Sequence, residues 1–106
     1  MLDIRRLQVL ATVVDTGSVT AAATRLGFTP SSISQQVSQL EKEAGMPLLE
    51  KHGRGIRPTE AGRLLAEHAR HVLRAVADAE DALDDLRKGR TGRVRVMSFN
   101  SAGDSL

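Results

Sequence analysis

Apolar residues recur at helical spacing from the first turn of the chain. Ile4, Leu7, Leu10, Ala11 and Val14 stand three and four residues apart, with Asp3 placed to cap them and Gly17 just past the last turn. This predicts a first helix. Ser18 is a natural N-cap for a second helix over Val19 to Leu26, whose alanines at 21, 22 and 23 let another backbone come close before Gly27 ends it. Thr29 and Pro30 pair an N-cap with a first-turn proline, whose missing N–H costs nothing there. Ile33, Val37, Leu40 and Ala44 then draw one apolar stripe along a third helix that Gly45 closes.

Pro47 breaks the helical pattern, and Leu48 to Lys51 and Ile56 to Pro58 flank the turn-forming His52-Gly53-Arg54-Gly55. Two short strands in a hairpin are expected. From Thr59 to Lys88 there is no proline, and Leu65, Ala69, Val72, Val76, Ala79, Leu83 and Leu86 alternate steps of four and three. That is a heptad seam about three repeats long. At about 1.5 Å per residue such a helix is about 45 Å long, more than the preceding residues can cover, so part of it must find another surface. Gly89 and Gly92 interrupt the pattern, and Arg93 to Phe99 alternates like a first strand of something further on. The expected division is residues 1–58 as a compact head, 59–89 as a linker helix and 90–106 as the start of a further domain, with Asn100 to Leu106 as a frayed or cut end.

A chain of 106 residues has room for one modest core, which fits one small head with a helical extension. It contains no cysteine, which removes disulfides, thiolate metal sites and a Cys nucleophile, and fits a reducing compartment. No apolar run approaches the roughly 18 to 20 residues that span a bilayer, and the first residues do not read as a signal peptide. A soluble, cytoplasmic chain with no membrane partner is expected. Fifteen Lys and Arg against 13 Asp and Glu give a formal charge of +2, which permits an anionic partner. With two Phe and no Trp or Tyr, the chain lacks the aromatic platforms on which single-stranded nucleic acid stacks.

Ala23, Gly27, Ile33 and Val37 are the small, turn and apolar positions of two helices meeting across a tight turn, a helix-turn-helix signature. With the stripe from Ile33 to Leu40 held inward, the face left outward is Ser31, Ser34, Gln35, Ser38 and Lys42. Short hydroxyls, an amide and one cation can approach phosphates and base edges in a major groove without burying unpaired carboxylates. The plain alternative is a solvated helix face.

The segment AAATRLGFTPSSISQQVSQLEKEAGMPLLEKHGRGIRPTEAG resembles the amino-terminal DNA-binding region of LysR-type transcriptional regulators. The likeness runs from about Leu7 to Gly62 and on through the long helix. It rests on the paired alanines, TPSSIS, QLEKEAG, Leu48-Leu49, Arg54 and Thr59-Glu60-Ala61-Gly62 in order and spacing. Departures are Leu49, where the family more often has Phe, and Gln35 and Lys51, where it more often has Arg. The resemblance implies a mainly α fold: a winged helix-turn-helix of three helices plus a two-stranded wing, followed by a long linker helix. It also implies an effector-binding domain beginning near Arg93. The DNA-contacting set it implies is Ser18, Thr29, Pro30, Ser31, Ser32, Ser34, Gln35, Ser38 and Arg54. Among these, Ser31, Ser34 and Gln35 face bases or the groove floor, and Thr29 and the N–H groups at the start of the third helix face phosphate. Ser18 faces phosphate too or is a plain cap. Arg54, on a glycine-flanked tip, is suited to a minor groove.

The implied partners are a double-stranded DNA operator and a second copy of the chain, paired antiparallel along Leu65, Ala69, Val72, Val76, Ala79, Leu83 and Leu86. A homotetramer is a further option for a longer protein. His68 and His71, three apart with Glu67 beside them, invite a metal, but no third ligand of the right type is placed. No cofactor is expected. Nor is catalysis, which would need a nucleophile with a base, or a carboxylate pair, in a pocket, since a three-helix domain this small offers no obvious cavity. Gly53-Arg54-Gly55 lacks the following helix of a dinucleotide fingerprint and reads as a turn. The rival from another class is a coiled-coil interaction module without specific DNA binding. A non-specific architectural DNA protein is the weaker rival, for want of charge and of intercalating wedges.

Overall fold

The structure, a computed structural model, describes residues 1–89. Its elements follow in the order α1 (Ile4–Thr16), α2 (Val19–Leu26), α3 (Pro30–Ala44), β1 (Leu49–His52), β2 (Gly55–Pro58) and α4 (Glu60–Arg87). This is a mainly α winged helix-turn-helix with a long C-terminal helix, as the sequence implied. The strand foreseen over Arg93 to Phe99 lies outside the described residues. Contacts divide the chain into Met1–Leu73 and the part from Arg74 onward, with α4 contributing to each.

Every helix begins on the side chain that the sequence offers for it. Asp3 accepts from the Arg5 N–H at 2.8 Å, Ser18 from Ala21 at 3.1 Å, Thr29 from Ser32 at 3.1 Å and Thr59 from Gly62 at 3.1 Å. Each such cap is worth about 1 kcal/mol. Gly27 ends α2 at φ +75°, a left-handed conformation open to glycine with little cost, and so turns the chain within two residues into Thr29.

Met1–Leu73 holds two buried clusters on α1. Leu7, Leu10 and Ala11 join Leu40, Leu48, Ala66 and Ala69 in one. Val9 and Val13 join Ala22, Ala23, Ile33 and Val37 in the other. Burying a side chain such as Leu10 or Ile33 stabilises the fold by about 2 to 3 kcal/mol. The single stripe read from the sequence therefore describes only half of α1. Val9 and Val13 are buried as well, and Ile4 is exposed, because neighbours cover α1 on two sides. Thr12, buried among them, donates its hydroxyl to the Gln8 carbonyl at 2.8 Å.

Two further expectations change. The hairpin pairs Leu49 with Pro58 and His52 with Gly55, so both strands extend toward the turn, which shrinks to Gly53 and Arg54. Leu48 leaves the strand because the first cluster takes up its side chain and Thr59 takes its carbonyl, donating its N–H at 3.0 Å. The seam along α4 also divides. Ala69 is fully buried and so belongs to the chain's own core, not to a surface for a second copy, while Leu65 is half-buried against the first cluster. Val72, Val76, Leu83 and Leu86 are exposed, the last two by more than 60%.

Gly62 marks the closest approach in the fold. A Cβ built there would collide with the backbone carbonyl of Leu48, and no flexible side chain can yield instead. Gly62→Ala is therefore expected to destabilise the domain by about 2 to 3 kcal/mol. A thermal melt checks it: at about 4 to 8 °C per kcal/mol for a domain of this size, the midpoint falls by about 8 to 24 °C.

Candidate nucleic-acid interface

α3 is amphipathic by burial as well as by pattern. Ile33, Val37 and Leu40 are buried, while Ser31, Ser34, Gln35, Ser38, Gln39 and Lys42 are exposed on the opposite side. The helix also carries two carboxylates, and both are engaged at its margins. The Glu41 carboxylate accepts from the Leu48 N–H at 2.8 Å and the Leu49 N–H at 3.3 Å. The Glu43 carboxylate is paired with Arg6 at 3.0 Å. The outward face is thus hydroxyl, amide and one lysine, with no acid to repel an approaching polyanion.

The start of α3 is more sparing of donors than the sequence suggested. Pro30 has no N–H, Ser32 gives its own to the Thr29 hydroxyl and Ile33 gives its own to the Thr29 carbonyl. Among the described residues this leaves the Ser31 N–H as the open backbone donor of the first turn. The Thr29 hydroxyl hydrogen adds a second, because its oxygen only accepts in the cap. Pro30 and Ser31 are exposed beside them, whereas Ser32 turns partly inward.

The wing brings the other foreseen residues together. Arg54, Gly55 and Ile56 line one open cleft with Gly17, Ser18, Val19 and Thr20, so Arg54 and the N-terminus of α2 share a surface despite 34 intervening positions. Ser18 serves as the α2 cap through its hydroxyl oxygen. Arg57 is paired with Glu50 at 2.7 Å across the strands. Arg54 makes no ion pair among the described residues.

Arg6 was not foreseen. It stands beside Gln35, Gln36, Ser38, Gln39 and Lys42 in a depression at the edge of the α3 face. Only the packing of α1 against α3 puts it there, and no local motif announces it. His68 and His71 touch edge to face, with ring centroids 6.4 Å apart. Among the described residues, no group of three His, Asp or Glu is arranged to hold a metal, and no helix is long and apolar enough to cross a membrane.

A family model described as bacterial regulatory helix-turn-helix protein, lysR family, matches residues 4–63. The chain belongs to the LysR family. It is the helix-turn-helix DNA-binding domain found at the amino-terminal end of LysR-type regulators, a family of transcriptional regulators and not of enzymes. The HTH-type transcriptional regulator CbbR of Rhodospirillum rubrum is 40% identical over 99 residues, covering 93% of this chain and 33% of that protein. The nitrogen assimilation regulatory protein nac of Klebsiella aerogenes is 39% identical over 95 residues, covering 90% of this chain and 31% of that protein. The chain thus spans about a third of the length of the curated relatives it matches. Among solved structures, the CbnR_DBD–DNA complex is similar with a TM-score of 0.73 and 32% identity over 81% of this chain and 99% of that one. The BenM_DBD/benA site 1 DNA complex is similar with a TM-score of 0.76 and 28% identity over 83% of this chain and 99% of that one. Both relatives were crystallised with DNA.

Proposed function

We propose that this LysR-type domain binds duplex DNA sequence-specifically as a homodimer, on an operator of two inverted half-sites. The observation that carries this reading is the α3 face, where Ser31, Ser34, Gln35 and Ser38 stand exposed while Glu41 and Glu43 are held at its margins. In a major groove, the Gln35 amide has both a donor and an acceptor to offer adenine, and the serines fit closely against the floor. The Ser31 N–H, the Thr29 hydroxyl and the positive end of the α3 dipole face a phosphate, with Pro30 and Ser32 shaping that turn. Ser18 and Thr20 at the head of α2 take a second phosphate. Arg54 enters the flanking minor groove, where a guanidinium is drawn by the negative potential of narrow A·T tracts.

The dimer forms along the exposed part of α4, through Val72, Val76, Ala79, Leu83 and Leu86. A two-fold axis relates two α3 helices and makes the half-sites inverted, with centres separated by about 34 Å or a small multiple of it. A small-molecule effector is sensed by a domain following this one, and the longer protein assembles as dimer or tetramer. Its partner being genomic DNA, the protein acts in the cytoplasm. Salt-dependent, sequence-selective duplex binding separates this reading from that of a helical docking module.

Three measurements test the reading. Gln35→Ala costs about 1 to 3 kcal/mol on the selected site and flattens preference at one base pair, whereas an equal loss on random duplex would remove Gln35 from base reading. Arg54→Ala weakens binding mainly on operators with A·T-rich flanks; indifference to flank sequence would reduce its role to plain phosphate contact. Val76→Glu puts a charge into the apolar row and yields a monomer by sedimentation, with helix content kept and half-site binding retained. A Val76→Glu chain that stays dimeric would move the interface elsewhere.

A further inference from the structure

The wing meets α3 at few points. Val37, Ser38, Glu41, Leu49 and Ile56 border an open cleft of about 250 Å³ between them, so the packing of the wing on α3 is incomplete there. Leu49 and Ile56 lean on the second core cluster from one side. Apolar contact runs from Leu40 to Leu48 as well, but among the described residues the hydrogen bonds between α3 and the base of the wing all end on one side chain. Glu41 Oε2 accepts both the Leu48 and Leu49 N–H groups. Counting back from the closing pair His52 and Gly55, Leu49 and Pro58 form a pair without ladder bonds, so the Leu49 N–H points away from β2 and needs an acceptor elsewhere. Glu41 supplies it.

The same stretch of chain is gripped from the other side. Thr59 donates its N–H to the Leu48 carbonyl at 3.0 Å and its hydroxyl to the Pro47 carbonyl at 2.7 Å. Gly62 lets that peptide lie directly on the start of α4. Without Glu41 the base of the wing would keep its hydrogen bonds to the start of α4 and lose those to α3, leaving only apolar contact on that side. We propose that Glu41 is a positioning residue, whose carboxylate sets the wing relative to α3 and thereby makes the DNA contact of Arg54 compatible with base reading by Gln35.

Leverage makes the effect large. At about 3.3 Å per residue the tip lies about 15 Å from the clamp, so a tilt of about 10° carries Arg54 by about 2.5 Å. A guanidinium hydrogen bond does not survive such a shift, since its working range is only about half an ångström. The proposal rests on the DNA-binding reading given above, and its test separates the two.

The experiment measures the loss caused by Arg54→Ala in three versions of the chain, by fluorescence anisotropy on a duplex carrying the selected core with A·T flanks. In the unsubstituted chain the loss is about tenfold. In Glu41→Gln it stays about tenfold, because the amide oxygen reaches both N–H groups although the charge is gone. In Glu41→Asp, which keeps the charge but is one methylene short, it falls to about twofold or less, the two losses having become non-additive. The Gln35→Ala loss is the same in all three, which a general weakening of the fold would not produce.

An equal Arg54→Ala loss in all three versions overturns the proposal and leaves the DNA-binding reading standing. Glu41→Gln raising affinity for every duplex alike, with Glu41→Asp unchanged, overturns it in favour of simple charge repulsion. No loss from Arg54→Ala in the unsubstituted chain overturns both. Should Glu41→Asp fail to fold by its thermal melt, amide exchange at Leu48 and Leu49 in Glu41→Gln decides. Retained protection supports the clamp, and its loss in a folded chain overturns it.

Discussion

The domain depends first on how closely α2 and α3 approach α1. Ala22 and Ala23 are buried with almost no side chain between the backbones, and Ile33 and Val37 fill the space that remains, beside Val9 and Val13. Small residues on one helix and branched ones on the facing helix make a contact that holds α3 by one side only. A larger residue at Ala23 would push the helices apart and turn the outward face with them. The orientation of Ser31, Ser34 and Gln35 is therefore set by a contact on the opposite side of the helix.

Most of this was legible in the chain because its signals are local. Caps at Asp3, Ser18 and Thr29 and glycines at 17, 27 and 45 punctuate the first three helices, and each cap bonds the N–H that its position predicts. The readings that changed are those decided by neighbours distant in sequence. Val9 and Val13 break the single stripe of α1 because a second layer covers them. Leu48 has a strand-like place in the sequence, yet core burial and Thr59 remove it from the ladder. Arg6 reaches the rim of the α3 face from another helix, which no spacing rule can reveal.

The division of α4 has the same origin. A heptad pattern records which residues avoid water but not what shields them, and at Leu65 and Ala69 the shield is α1 and its neighbours. Beyond Leu73 the pattern continues with Val76, Ala79, Leu83 and Leu86 exposed. One uninterrupted apolar rhythm thus runs through a part that the core covers and a part that stands exposed. The change between them falls about where the contact pattern divides the chain.

The lack of charge at Ser31, Ser34, Gln35 and Ser38, on the outward face of α3, has a consequence for how such a domain changes over time. Attraction to a polyanion comes from fixed charge and backbone dipoles, which here lie at Lys42, Arg54 and the helix starts, whereas Ser31, Ser34, Gln35 and Ser38 carry no charge. Exchanging one of these neutral groups for another leaves the long-range pull on DNA as it was and alters only short-range fit. A lineage can therefore drift from one preferred sequence to another in single steps, without first losing its grip on the duplex.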